Sequence, residues 1–381
     1  MRAETPDVLV VGLGPAGSRA AETAARAGAT VVALEKRAKA GSPVQCAEFV
    51  PSMIERDVPA VGEVTEQTIA RMLTFVEDGD RADETPEFRG RMLDRGKFDR
   101  MLAADAAKAG ADCRYGVAVL SIDAAGTVHT AQGDFKPRVL IGADGPRSRV
   151  ADALGLGASK RFLAGVEYEY ASASIAMPDR LHCFVDRRLA HGYIGWVFAG
   201  VDGVQAGLAR RLDGRGSLKP NEAMEAFLEK IAPVIDLRGT APSGVRAGLI
   251  PCGGVVSPVA VSRALLVGDA AGMVSPVTAG GIHTALKHGL AAGNAVADFL
   301  HGRAEDPSSW FVRSYPRFRL KRLLRFLFDH FQSDLAFNWL LATWPMRAAA
   351  SVVYFHHKGV FDPAERPERT FALPPRQDTL P

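Results

Sequence analysis

Six consecutive residues near the amino terminus, Gly12-Leu13-Gly14-Pro15-Ala16-Gly17, have the composition of a phosphate-binding turn. Gly12 permits the tight turn, Gly14 lets the backbone approach a pyrophosphate, and Gly17 allows a helix to pack closely on the preceding strand. The amides of a helix opening at Pro15 and Ala16 then favour an anion. Glu35, followed by Lys36, stands eighteen residues after Gly17, where a carboxylate can accept from ribose hydroxyls. An acid at that place selects an adenosine with a free 2′-hydroxyl, so FAD or NAD rather than NADP. Two later segments, VLIGADGPRSR (139–149) and LLVGDAAG (265–272), each end an apolar run in a Gly/Asp turn. Such turns bring a carboxylate and free amides to one ligand, here Asp144 with Gly145 and Asp269 with Gly268. Either aspartate could equally serve as a turn or helix cap. Together with the first motif, the two turns favour one flavin dinucleotide site over three unrelated turns.

The trio GLGPAG…E, GADGPRSR and LLVGDAAG resembles the glutathione-reductase-like flavoproteins of the hydroxylase branch, over most of residues 7–300. That resemblance implies bound FAD, a pocket stabilised by the middle motif, and Asp269 bonded to the ribityl chain. A narrower resemblance is to the geranylgeranyl reductase family. It is carried by SPVQCAE (42–48), DRGKFDRMLAADAAKAGA (94–111), GYIGWVF (192–198) and GMVSPVTAGGIHTAL (272–286). It implies Cys46 against the flavin ring and Arg95 near the cofactor, in an R-x-x-F-D pattern completed by Phe98 and Asp99. It also implies that Pro276, Gly280, Gly281 and Ile282 form a loop that passes the isoalloxazine and opens a long helix. Amides at such a helix start would stabilise the negative charge of reduced flavin. The implied activity is reduction of carbon–carbon double bonds in an isoprenoid or prenyl lipid, with Cys46, Tyr193 and Trp196 as catalytic candidates. Electrons would come from external NAD(P)H or a ferredoxin-like protein. The chain departs from the family's Y-x-W-x-F-P signature: two residues separate Tyr193 from Trp196, and Ala199 replaces the proline. Ala279 stands where a glycine is common. These departures leave the flavin motifs untouched.

Each candidate has a plainer role open to it. Cys46 could be a small buried apolar residue; as a proton donor it must be a neutral thiol, so a depressed pKa would count against it. Tyr193, Trp196 and Phe198 alternate as strand residues do, and could form an ordinary sheet face or an apolar wall for a hydrocarbon. His283 could be solvated or structurally bonded. The stretch 317–331 (RFRLKRLLRFLFDHF) reads as a basic amphipathic helix, either packed on the second lobe or lying on an anionic membrane surface. Two rival functions share the flavin motifs: an FAD-dependent monooxygenase or hydroxylase, and a non-catalytic electron-transfer flavoprotein.

Elements must position these residues. Residues 7–12, 15–27 and 30–35 form a βαβ unit, the context the glycine motif needs. A helix follows at about 96–109, then β-rich sequence to 142, ending in the buried strand of VLIGADG. Short alternating runs from 161 to 256 predict antiparallel strands with one helix near 220–232. A strand at 264–269 and a helix at 280–300 complete the first lobe. The expected fold is α/β: a discontinuous Rossmann-like FAD-binding domain (1–160 and 257–305), an antiparallel-sheet substrate domain (161–256), a helical C-terminal region (306–361) and a flexible tail (362–381). The 381 residues exceed the usual size of a single domain. A net charge of +3 is too small to imply nucleic acid. Cys46, Cys113, Cys183 and Cys252 lie far apart with no CxxC, which predicts no disulfide framework and no metal site. No signal peptide or membrane span is read, so a cytoplasmic place is expected, with peripheral contact at the inner membrane face open.

Overall fold

A computed structural model describes residues 2–326 except 78–80, 86–88, 202, 214, 215, 217, 238, 316, 317, 319, 320 and 324, and beyond these only 371–372. Five buried or half-buried segments form parallel neighbours in one sheet. From edge to edge they are Ala264–Leu266, Val139–Gly142, Val8–Val11, Val31–Glu35 and Asp112–Tyr115, with Ala260–Val261 added antiparallel at the first edge. The runs VLVV and VLIG are apolar at every position because both faces are covered. Val8, Val10, Ala33, Ile141 and Leu265 face one layer of helices, Pro15–Arg26 and Ile282–Leu300. Leu9, Val11, Val32, Leu34, Leu140 and Leu266 face the opposite side, against Val119, Val128 and Phe135 of a three-stranded meander. Gly289 and Gly293, one turn apart on the long helix, lie over Ala16 and Thr23 and let the two helices touch backbone to side chain.

The second sheet has eight strands. In order they are Gly244–Pro251, Phe162–Tyr170, Gly203–Arg211, Gly195–Gly200, Arg180–Val185, Arg71–Val76, Arg81–Thr85 and Phe371–Ala372. One face is closed by the helix Pro220–Ile231, whose Met224 and Phe227 pack with Tyr170, Phe184, Val197 and Leu208. The other face carries Leu163, Trp196, Phe198, Ala209 and Cys252, packed toward Ala47 and Ala279 of the first lobe.

Two expectations are corrected here. The first 160 residues are not all in the dinucleotide domain, because Arg71–Val76 and Arg81–Thr85 cross over and join the second sheet. The second sheet is antiparallel as expected, with Arg71–Val76 joined to it by a parallel pairing to Arg180–Val185. The strand expected at 264–269 stops at Leu266, and Gly268–Ala271 is a single 3-10 turn, so Gly268 and Asp269 sit beyond the sheet edge. Of the expected helical C-terminal region, Pro307–Ser314 is a helix. Most of the 317–331 stretch lies outside the described residues, as does the 362–381 tail apart from Phe371–Ala372, which pairs with Arg81–Ala82. Among the described residues, no helix is long and apolar enough to cross a membrane.

Candidate flavin site

All three glycine-containing turns leave the carboxyl ends of adjacent parallel strands, so the sheet order alone gathers them on one edge. Gly12 has φ +103, and a Cβ there would stand 2.4 Å from the Ala143 carbonyl oxygen, so the first and second turns touch through a position that only glycine can fill. Gly268 lies against Ala16, which brings the third turn to the first. The helix behind the first turn has Gly14 at its N-cap and Pro15 at its start, with no side chain capping that end. Its amides are thereby left for an anion.

Glu35 ends the second strand with both carboxylate oxygens on backbone amides, Leu13 at 3.0 Å and Arg37 at 3.0 Å. It orders the glycine turn and keeps lone pairs for a sugar hydroxyl. Lys36 beside it is exposed. Asp144 takes the capping role: it accepts from Ser148 Oγ at 2.6 Å and from the amides of Arg149 and Val150, at the start of the helix Arg149–Ala153. Its contribution is to fix the turn at Gly145, where φ is +87. Asp269 is different. Among the described residues no donor bonds its carboxylate, which lies in a recess near Gly281, and burial pushes its pKa up to about 6 against the pull of Arg95. A half-buried carboxylate with no donor among the described residues suits the hydroxyls of a ribityl chain.

The loop Ser275–Gly281 is folded on itself: the Ser275 amide donates to the Gly280 carbonyl at 3.1 Å and the Ala279 amide to the Ser275 carbonyl at 3.0 Å. Ala279 has φ +50, the left-handed conformation that explains why glycine is common at this place. Pro276 is buried, Gly280 is exposed, and Gly281 caps Ile282–Leu300 with no side-chain bond, leaving that helix start open as well. Tyr193 donates to the Thr278 carbonyl at 2.6 Å, so its hydroxyl positions this loop. His283 is paired with Asp57, the structural role open to it.

Cys46, like Asp269, lies within reach of the Arg95 charge. Its sulfur accepts from the Glu48 amide at 3.3 Å, and burial raises the thiol pKa although Arg95 beside it pulls the other way, so the thiol is neutral at ordinary pH. Arg95 itself is held by Asp99 through contacts at 2.8 and 3.1 Å and acts electrostatically on both Cys46 and Asp269. Trp196 lies on the sheet face that packs toward Ala47 and Ala279 and donates to Glu167 Oε2 at 2.6 Å.

Sequence reasoning missed a second layer. Glu48, 1% exposed with φ +63, accepts from the Arg95 amide at 3.0 Å, from Gln205 at 2.8 Å and from Arg246 at 2.6 Å. Arg246 also donates to the Cys46 carbonyl and pairs with Glu169. The one available signal was charge in strands that otherwise read as buried, VEYEY and GVRAGLIP. A cleft of about 610 Å³ opens beside Pro276, lined by Lys160, Arg161, Arg322 and Arg325 with Leu323 and Phe326 and, among the described residues, by no acid.

Comparison with known proteins agrees with this geometry. The family model described as an FAD binding domain matches residues 5–322. A digeranylgeranylglycerophospholipid reductase of Methanocaldococcus jannaschii is 30% identical over 335 residues, covering 85% of this chain and 84% of that protein. Among solved structures, a geranylgeranyl bacteriochlorophyll reductase-like protein of Thermoplasma acidophilum superposes with a TM-score of 0.81 at 23% identity, over 93% of this chain and 98% of that one. A flavin-dependent brominase superposes with a TM-score of 0.70 at 15% identity, over 92% of this chain and 93% of that one, which shows the shared fold.

Proposed function

The chain belongs to the geranylgeranyl reductase family of FAD-dependent oxidoreductases, and from that premise we propose that it reduces carbon–carbon double bonds in the isoprenoid chain of a prenyl lipid. The observation that carries the proposal is the sheet face formed by Leu163, Trp196, Phe198 and Ile250, which packs toward both Ala47 and Ala279. It is an apolar surface against the loop that carries Cys46 and the loop that runs from Asp269 to the long helix. An isolated alkene has no carbonyl to accept developing charge, so the protein's work is to orient the chain, exclude water and provide a proton. Bound FAD, once reduced, supplies the hydride.

In this reading the residues divide the labour. Gly12–Gly17 and Glu35 hold the nucleotide half, Asp269 the ribityl chain, and the Pro276–Ile282 loop the ring edge, with Tyr193 keeping that loop in place. Cys46 is a neutral thiol at the ring. Electrons come from an external donor, and the basic cleft beside Pro276 suits either the phosphates of a nicotinamide nucleotide or the acidic surface of a ferredoxin-like protein. Leu323 and Phe326, 54% and 48% exposed beside Arg322, support peripheral contact with an anionic membrane.

The test is anaerobic. The purified flavoprotein is reduced with dithionite, candidate prenyl lipids are added, and flavin reoxidation and product mass are followed. The expected product gains two hydrogens for each bond reduced. Reoxidation by oxygen alone, with a hydroxylated product, would favour the monooxygenase reading and overturn this one; flavin reduction without any organic product would favour a pure electron carrier.

A further inference from the structure

Glu167 is 3% exposed on the Phe162–Tyr170 strand. It faces one cation, Arg246, which stands opposite it on the neighbouring strand, and two other acids, Glu169 on its own strand and Glu48 from the loop beyond Cys46. Arg246 is already engaged with Glu48 and Glu169. One guanidinium shared among two buried carboxyl groups, Glu48 and Glu167, and the half-buried Glu169 leaves Glu167 to take up a proton, because an uncompensated buried charge is costly. The direction agrees: burial raises the Glu167 pKa to about 8, with Glu48 and Glu169 acting in the same sense and Trp196 and Arg246 against it.

Hydrogen-bond chemistry then favours one oxygen for the proton. The indole N–H of Trp196 can only donate, and it donates to Oε2. The carbonyl oxygen of an acid is its better acceptor, which favours Oε1 as the protonated oxygen, and Oε1 is buried with no hydrogen-bond partner among the described residues. A neutral acid whose O–H meets no protein acceptor, set beside the aromatic wall, is built to give that proton to something else.

We propose that Glu167 is the acid that protonates the alkene, acting from the sheet wall that faces the ring loops. The proposal rests on the double-bond reduction inferred above. One alkene carbon takes the hydride and the other takes the proton of Oε1 as that O–H bond breaks. Two C–H bonds replace the π bond, the hydride brings the two electrons, and Glu167 is left as a carboxylate. Trp196 and Arg246 stabilise that carboxylate until water returns its proton. Turnover should hold below pH of about 8 and fall above it, as Glu167 ionises under the opposing influences of Arg246, Glu169 and Glu48.

The experiment compares wild-type holoprotein with Glu167→Gln, which keeps an oxygen for Trp196 and removes the acid. Two readouts are used: single-turnover reoxidation of the reduced protein by a prenyl lipid, and the infrared carboxyl band of the oxidised protein without substrate. Glu167→Gln is expected to slow reoxidation by about 10²-fold or more, and to lack a protonated-carboxyl band that the wild type shows at pH 7. Trp196→Phe is expected to shift that band, and Glu167→Asp to reoxidise at an intermediate rate. Wild-type reoxidation in Glu167→Gln, or the absence of the band at pH 7, overturns the role of Glu167 and leaves the reductase reading standing. If no prenyl lipid reoxidises the wild type, the reductase reading falls and takes this step with it.

Discussion

Asp269 and Glu167 are both held up by burial, and the consequences for the protein have opposite signs. Ligand hydroxyls favour the ionised form of Asp269, whose pKa is about 6 without them. FAD affinity should then be flat above pH 6 and weaken toward about tenfold per unit below it; titrating apoprotein with FAD at pH 5 and pH 7.5 checks this. Glu167 bears on folding. Between its ordinary value and about 8 the unfolded state is ionised while the folded state binds a proton, so the unfolded state binds fewer protons and stability falls as pH rises through that window. Glu167→Gln removes the effect. Its melting temperature should exceed that of the wild type by a margin that grows from pH 5 to pH 8 and is lost toward the acid end. Tyr193→Phe deletes a bond to the Thr278 carbonyl and should cost about 1 kcal/mol of stability, with weaker FAD binding. A large loss of turnover at unchanged FAD affinity would instead make Tyr193 a proton donor.

At the scale of elements, the decisive contact is between the first helix and the long helix Ile282–Leu300. A Cβ on Gly289 would stand 2.3 Å from the Ala16 carbonyl oxygen, in the first turn of the helix that the glycine motif opens. Gly289→Ala should therefore push back the start of the first helix, cost about 1–3 kcal/mol, and reduce the flavin content of the purified protein. The neighbouring Leu290 is 46% exposed, and Leu290→Ala should change stability by less than about 0.5 kcal/mol with flavin content unaltered. Urea unfolding and the ratio of flavin to protein absorbance read both variants. Equal flavin content in the two would show that the helix contact does not govern the site.

For the molecule as a whole, the proposed cofactor site is assembled from turns far apart in the chain, so bound FAD would add a tie between segments that the apoprotein already joins by packing and by backbone bonds such as Ala143 to Val11. Binding to the folded state alone should stabilise by about 2.7 kcal/mol when free FAD is at 100 times its Kd. Thermal unfolding with and without added FAD measures this, and an unchanged midpoint would mean that the three turns do not close on one ligand. The lobes are interleaved more deeply than a two-domain division suggests, because Arg71–Val76 and Arg81–Thr85 leave the first lobe to complete the second sheet. Loosening that crossover is expected to disturb flavin and substrate sides together.

What the residues declared unaided were the parts whose physics is local. Gly12 at positive φ, the fully apolar runs VLVV and VLIG, and the start of the long helix after Gly281 follow from backbone sterics and periodicity within a few residues, and each was legible. Glu35 was legible because its spacing from the glycine turn is set by one βαβ unit. Tertiary structure alone decided the rest. A helix cap and a ligand contact ask for the same residue type, so only the bonds from Ser148, Arg149 and Val150 gave Asp144 its role. The strands at 71–76 and 81–85 carry no mark of which sheet they will join, since pairing is chosen by partners about a hundred residues away. Glu48, Glu167, Glu169 and Arg246 read along the chain as ordinary charges. They become a buried network only when two strands and a loop bring them together out of water, where charge must be shared or neutralised.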